Sequence, residues 1–229
     1  MKFPTSKLNA IIGKINATKG IFSIWGDFGV GKTTFAIQTA INTVKNNENV
    51  IYIYTKPNLP YEKLISLSKG SEEVLDRITI IKPLNFKDLY NIIFNLEFLI
   101  LRKLENNDDK LKLIIIDSIT NLYRLEINQE NKEKNYNLNY QLHQILANLT
   151  YLNEIYSIKI LIVNELSRKN YNEQFIEVQS GGKAMEFWIN FNLKIAKTKT
   201  LNQRKFIFSN LSENRLYEFT LNLREEGFE

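Results

Sequence analysis

Short apolar runs alternate with longer stretches of helical periodicity along this chain. Gly20–Trp25, Val50–Tyr54, Thr79–Ile81, Leu113–Asp117 and Ile160–Val163 are brief and rich in β-branched and aromatic residues, so they read as buried strands. Between them, apolar residues step by three and four. Ala36, Ile37, Ala40, Ile41 and Val44 mark one helix; Phe86, Leu89, Ile93, Leu96 and Ile100 mark a second, ended by the polar stretch Asn106–Lys110. Leu138, Leu142, Ile145, Leu149 and Leu152 mark a third. Strands that alternate with helices predict an α/β fold with a mostly parallel sheet covered by helices. After Val163 the character changes. Phe191–Ala196 and Phe206–Phe208 read as strands, and Tyr217, Phe219, Leu221 and Leu223 alternate with polar residues. With Asn210–Arg215 as a turn, this predicts antiparallel strands that extend one edge of the sheet.

Composition narrows the class. With 229 residues, 44% of them hydrophobic, the chain suits one α/β domain, or at most two small ones. Neither a linker nor a repeat divides it, so a single domain over residues 1–229 is expected. Without cysteines, disulfides and cysteine-ligated metals are excluded, which fits a reducing interior. The lone His143 cannot build a multi-histidine metal site and falls within helical periodicity, so a structural role is expected. The N-terminus lacks an apolar signal core, and no run approaches the ~18 apolar residues of a membrane span, so a cytoplasmic location is expected and no membrane partner. A net charge of +5 favours polyanionic partners mildly. Part of that basicity follows from heavy use of Asn, Ile and Lys throughout.

The chemistry concentrates in Gly26-Asp27-Phe28-Gly29-Val30-Gly31-Lys32-Thr33, which fits the phosphate-binding pattern G-x-x-x-x-G-K-[ST]. It lies between a predicted strand and a predicted helix, the setting such a loop needs. The glycines let backbone N–H groups curl around phosphate oxygens, and the helix start adds its partial positive charge. ATP with Mg²⁺ is therefore the expected cofactor pair. Lys32 reaches the β- and γ-phosphates, Thr33 offers a hydroxyl to the metal, and Thr34 completes the lining. Asp117 closes the fourth apolar run and is the candidate second metal ligand, because ligands of open α/β sheets sit at the carboxyl ends of strands.

The residues that follow bring a resemblance. Asp117-Ser118-Ile119-Thr120-Asn121-Leu122-Tyr123-Arg124 resembles the Walker B region of the RecA-like recombinases. Val163-Asn164-Glu165 stands where that family carries an Asn-Gln pair. Gly181-Gly182-Lys183-Ala184-Met185-Glu186-Phe187-Trp188 resembles a segment of the archaeal RadB-like branch, and the likeness runs from about residue 5 to the end. It implies a RecA-like ATPase core without the N-terminal helix–hairpin–helix domain of RadA-type recombinases. One departure bears on mechanism. Where the family reads Tyr-Ile-Asp-Thr-Glu, this chain has Tyr52-Ile53-Tyr54-Thr55-Lys56. The glutamate that orients the attacking water is replaced by Lys56, which cannot accept a proton while charged. Glu165 is a possible substitute. ATP binding with slow or negligible hydrolysis is expected.

The resemblance also implies two DNA-contacting loops, at about Glu126–Asn139 and Leu166–Gly182. Lys132 and Lys134 in the first, Arg168, Lys169 and Tyr171 in the second, and Lys183 just beyond are the candidate contacts, through phosphates and stacking. Lys194, Lys197, Lys199, Arg204 and Lys205 form a further basic cluster, either a phosphate-tracking face or a charged sheet edge that blocks aggregation. The expected function is that of an accessory protein in recombination and DNA repair. Its partners would be single- or double-stranded DNA without sequence preference, a RadA-type recombinase and further copies of itself. A KaiC/RecA-like regulatory module without DNA contact stands as the alternative. An ordinary phosphate-loop kinase is disfavoured by the Leu-Tyr-Arg segment and the antiparallel tail.

Overall fold

The structure is a computed structural model that describes residues 1–14, 19–105, 111–171, 173–210 and 215–229. In chain order the first half contains α1 (Ser6–Lys14), β1 (Ile21–Gly26), α2 (Lys32–Val44), β2 (Asn49–Tyr54), α3 (Tyr61–Ser68), α4 (Glu72–Asp76), β3 (Ile78–Ile81), α5 (Phe86–Glu105) and β4 (Leu111–Asp117). The second half contains α6 (Asn121–Glu126), α7 (Lys132–Tyr156), β5 (Lys159–Tyr171), β6 (Gln174–Gln179), α8 (Gly182–Trp188), β7 (Ile189–Lys197), β8 (Gln203–Asn210), β9 (Arg215–Arg224) and β10 (Gly227–Phe228). The sheet order is β10-β9-β8-β7-β1-β5-β4-β2-β3. All pairs from β7 to β3 are parallel, and β7-β8, β8-β9 and β9-β10 are antiparallel. The mixed sheet with antiparallel strands on its C-terminal side is the architecture expected from the apolar runs.

Both faces of the central strands are covered, which explains their unbroken apolar character. Side chains alternate between the faces, and the two cores differ in kind. On the α2 side, Phe3, Phe22, Phe35, Phe191, Phe206, Phe208 and Phe228 build an aromatic core. Phe22 stacks on Phe191 at 4.4 Å and Phe206 on Phe219 at 5.3 Å between centroids, a geometry that adds to burial. On the other side, Ile and Leu from β2, β4 and β5 meet the apolar stripes of α5 and α7.

Three expectations need correction. Helix α7 starts at Lys132, where the Asn131 side chain accepts from Lys134 N at 2.9 Å and caps it. Its first turns are polar, so hydrophobic spacing showed nothing before Leu138. Most of the first expected loop is therefore helix. The second expected loop is also mainly strand: β5 runs on past the sheet and pairs antiparallel with β6, from Leu166↔Gln179 to Tyr171↔Gln174. Finally, β7 and β8 have neighbours on both sides, so Lys194, Lys197, Arg204 and Lys205 do not guard a sheet edge. The stretch 106–110 and most of the expected turn at 210–215 lie outside the described residues.

Gly26 ends β1 with φ 151°, and a Cβ built there would lie 2.1 Å from the carbonyl oxygen of Ile195 on β7. Only a hydrogen fits between loop and sheet. Gly26→Ala is expected to destabilise the fold by about 3 kcal/mol, seen as a lower urea midpoint with an unchanged slope.

Candidate nucleotide site and its surroundings

The loop that joins β1 to α2 uses left-handed backbone at Gly29 (φ 74°) and Gly31 (φ 98°). Gly31 also packs against Phe228, which would meet any Cβ there at 2.7 Å. The turn delivers Lys32 as the first residue of α2, whose opening N–H groups have no partners within the helix. Phe28, at the loop's tip, is exposed, and its N–H is held by Asp27 Oδ1 at 2.8 Å. The loop borders an open cavity of about 540 Å³ that Lys32, Thr33, Thr34, Lys56, Arg124 and Glu165 also line. Its volume and basic lining suit a triphosphate.

Lys32 is buried. Its Nζ donates to the carbonyls of Gly26 at 2.9 Å and Asp27 at 2.8 Å, and lies 3.2 Å from Glu165 Oε2. Burial lowers its pKa, and Glu165 offsets that only in part. The ammonium is thus a desolvated donor that gains from any added anion.

Asp117 ends β4 with no solvent exposure. Tyr52 donates its hydroxyl to Oδ2 at 3.1 Å, and burial, then the carboxylate, drive the phenol well above its usual pKa. Oδ1 faces Lys56 Nζ at 3.0 Å. That ammonium also lies 3.6 Å from Glu165 Oε1 and donates to Thr33 Oγ1 at 3.4 Å. Burial opposes the charge on Lys56, but Asp117 and then Glu165 outweigh it and hold the pKa above the ordinary lysine value. The main chain fixes the arrangement. Thr55 N donates to Asp117 O at 2.9 Å, Thr55 Oγ1 donates to Ser118 O at 2.8 Å, and Ser118 N donates back to Thr55 Oγ1 at 2.9 Å. The end of β2 is thereby clamped to the end of β4, around a cis Asp117–Ser118 peptide.

The residues fit the two expected cofactors differently. A glycine cradle with a buried ammonium suits phosphate oxygens. Thr33 and Asp117, the expected metal ligands, do stand together, but the Lys56 ammonium lies between them and Mg²⁺ does not fit with Lys56 in that position. Lys32, Lys56 and Glu165, spaced far apart in sequence, form one cluster.

Behind the cluster lies a polar network that sequence reasoning missed. Thr120 Oγ1 donates to Asn164 Oδ1 at 2.6 Å, and Asn164 Nδ2 donates to Ser180 O at 2.8 Å. Gln179 accepts from Ser23 and donates to Asn192. This network ties the residue before Glu165 to the base of the β5–β6 hairpin. The residue pair Asn164-Glu165 drew attention by resemblance, and Tyr52 only as a matching position of the stretch that ends in Lys56; Gln179 carried no sequence signal. His143 accepts from Trp188 Nε1 at 3.1 Å and bridges α7 to α8, a structural role.

The expected DNA residues are dispersed. Lys132 and Lys134 are exposed on the first turn of α7, Arg168 and Lys169 on the outer half of β5, and Lys183 on α8. The side chain of Tyr171 lies outside the described ones. Phe175 is exposed on the same hairpin. In the basic cluster, Lys194 pairs with Glu177 at 2.6 Å and lies over the Trp25 ring, while Lys205 pairs with Glu218 at 2.8 Å. Two of the five positive charges of that cluster are thus paired with carboxylates within the fold.

Comparison with known proteins agrees with this architecture. The Rad51 family model matches residues 4–209. The chain belongs to the Rad51 family. Among similar proteins, several are called DNA repair and recombination protein RadB. That of Methanococcus maripaludis is 35% identical over 186 residues, 81% of this chain and 80% of its own. That of Methanocaldococcus jannaschii is 33% identical over 184 residues, 80% and 81% respectively. A RadB from Methanosphaera stadtmanae is 27% identical over 195 residues. Among the described residues, no helix is long and apolar enough to cross a membrane.

Lys56 is the main countercharge of a fully buried carboxylate, so Lys56→Met is expected to cost about 2 kcal/mol in metal-free buffer, read from urea unfolding. Because its folded pKa is raised, this contribution is complete below the ordinary lysine value of about 10.4 and is lost only as pH climbs through the folded value. Wild type and variant should therefore differ by the same amount at pH 6 and pH 8.

Proposed function

We propose that this Rad51-family protein binds ATP in the Gly26–Thr34 cradle, turns it over slowly or not at all, and acts as a DNA-binding accessory in recombination and repair. The observation that carries the reading is the buried Lys32 ammonium, held at the rim of a glycine loop that opens α2. An anion that enters the cradle replaces the loop carbonyls and Glu165 as its partner. The names of the archaeal relatives supply the repair and recombination context.

Slow turnover follows from charge. A hydrolytic base must accept a proton from water. Lys56, at the place where the family carries its water-orienting glutamate, is a cation held beside Asp117 and cannot take that proton. Lys32 and the loop amides are assigned to holding phosphate.

For DNA, the β5–β6 hairpin is the better candidate surface. Alternation along the strands puts Arg168 on the face that carries Phe175, and Lys169 on the opposite one. A cation beside an exposed aromatic suits a single strand, through phosphate contact and base stacking. Lys132, Lys134 and Lys183 would contribute long-range attraction. A RadA-type recombinase is the proposed protein partner, and self-association is compatible with the exposed apolar side chains of the hairpin.

Two measurements test this. Lys32→Ala should weaken binding of a fluorescent ATP analogue at least about tenfold while circular dichroism stays unchanged; equal binding would remove the cradle from the account. Arg168→Ala and Lys169→Ala should each lower the salt dependence of single-stranded DNA binding by about one unit of slope. Absence of DNA binding at low salt would favour the regulatory module without DNA contact.

A further inference from the structure

We propose that Lys56 is a resident cation: its ammonium takes the place that a divalent metal would hold between Thr33 and Asp117, and nucleoside triphosphate binds without magnesium. The inference rests on the nucleotide reading above and deepens it.

The geometry makes the case. Nζ of Lys56 lies 3.0 Å from Asp117 Oδ1, 3.4 Å from Thr33 Oγ1 and 3.6 Å from Glu165 Oε1. Three oxygens from three separate elements thus surround one ammonium, as ion pairs with the two carboxylates and as a hydrogen bond to Thr33. Magnesium holds its oxygen ligands at about 2.0–2.1 Å and keeps a shell of water. An ion bound to Thr33 Oγ1 at that distance, on the side that faces Asp117, would fall within contact distance of Nζ. It would also meet a like charge. Ion and ammonium therefore exclude one another.

Displacing the lysine carries a penalty. Asp117 is fully buried, and apart from Lys56 its carboxylate is met by the neutral Tyr52 hydroxyl. If Lys56 swung out, that charge would stay behind in a poorly solvated place. The backbone next to Lys56 is clamped to Ser118 through Thr55, which fixes the point from which the side chain reaches Asp117.

The cluster also indicates where a phosphate would lie. Glu165 spans the two ammonium groups, with Oε2 at Lys32 and Oε1 at Lys56. A phosphate bearing several anionic oxygens can take up the same two cations and release Glu165 to solvent, of which it already has a share. Lys56 then keeps Asp117 and Thr33 as partners and presents its positive charge to the phosphate. No metal is needed to bridge protein and nucleotide.

The test is titration of a fluorescent ATP analogue into the full chain with excess Mg²⁺ and with EDTA. The dissociation constant of the wild type should change less than about threefold between the two buffers. Lys56→Glu and Lys56→Gln, checked for folding by circular dichroism, should bind at least about tenfold more weakly in EDTA and recover when Mg²⁺ is added. Electron paramagnetic resonance of Mn²⁺ gives an independent readout. Wild type with the nucleotide should leave the Mn²⁺ signal as the nucleotide alone does, whereas Lys56→Glu should broaden it. Loss of wild-type binding by tenfold or more in EDTA, or one Mn²⁺ immobilised per wild-type complex, would overturn the proposal. Failure to bind nucleotide in either buffer is a different result: it removes the nucleotide reading itself, and the inference with it.

Discussion

A carboxylate buried at the end of the central strand β4 sets the terms for everything around it. Asp117 has no access to solvent, so its charge requires compensation from inside the protein. Tyr52 gives a hydrogen bond from the neighbouring strand, and Lys56 gives a full positive charge from the residues that follow that strand. Their positions depend on the parallel register of β2 on β4, which sets Tyr54 opposite Asp117. The Thr55 clamp then holds Lys56 over the carboxylate. Strand register and site electrostatics are one constraint.

The sheet makes this possible by burying both of its faces. One core is aromatic and the other aliphatic, and together they exclude water from the strand interiors. A buried ion pair is worth little as a source of stability, since desolvation consumes much of the Coulomb attraction. Its value lies in geometry. Asp117, Lys56, Glu165 and Lys32 are paired in a chain of alternating sign that faces the phosphate loop.

The same strands carry the site outward. β5 lies between β1 and β4, provides Asn164 and Glu165 at the level of the phosphate loop, and then leaves the sheet to form one arm of the hairpin. Asn164, Gln179 and Ser180 bind the base of that hairpin to Thr120 and Ser23. Glu165 thus lies on the same strand as Arg168 and Lys169, which runs on to Tyr171. The physical connection is a continuous β-strand with satisfied polar contacts at its base.

Much of this was legible in the residue order, because local patterns report local physics. Apolar runs marked β1 to β5, three-and-four spacing marked α2, α5 and α7, and the glycine loop announced itself by its spacing. The resemblance at Asp117–Arg124 and the exchange at Lys56 directed attention to the right residues. The short helices α3, α4 and α6, the polar start of α7 and the β5–β6 hairpin were not read, since exposed polar residues leave no periodic trace. Nor could residue order reveal that Lys194 and Lys205 spend their charge on Glu177 and Glu218. Taken alone, the sequence determined which residues carry charge, which stripes must be buried and where a loop could curl around phosphate. Only the tertiary structure decided that the Lys56 ammonium stands between Thr33 and Asp117, because that position depends on two strands in register and on a buried carboxylate in need of a partner.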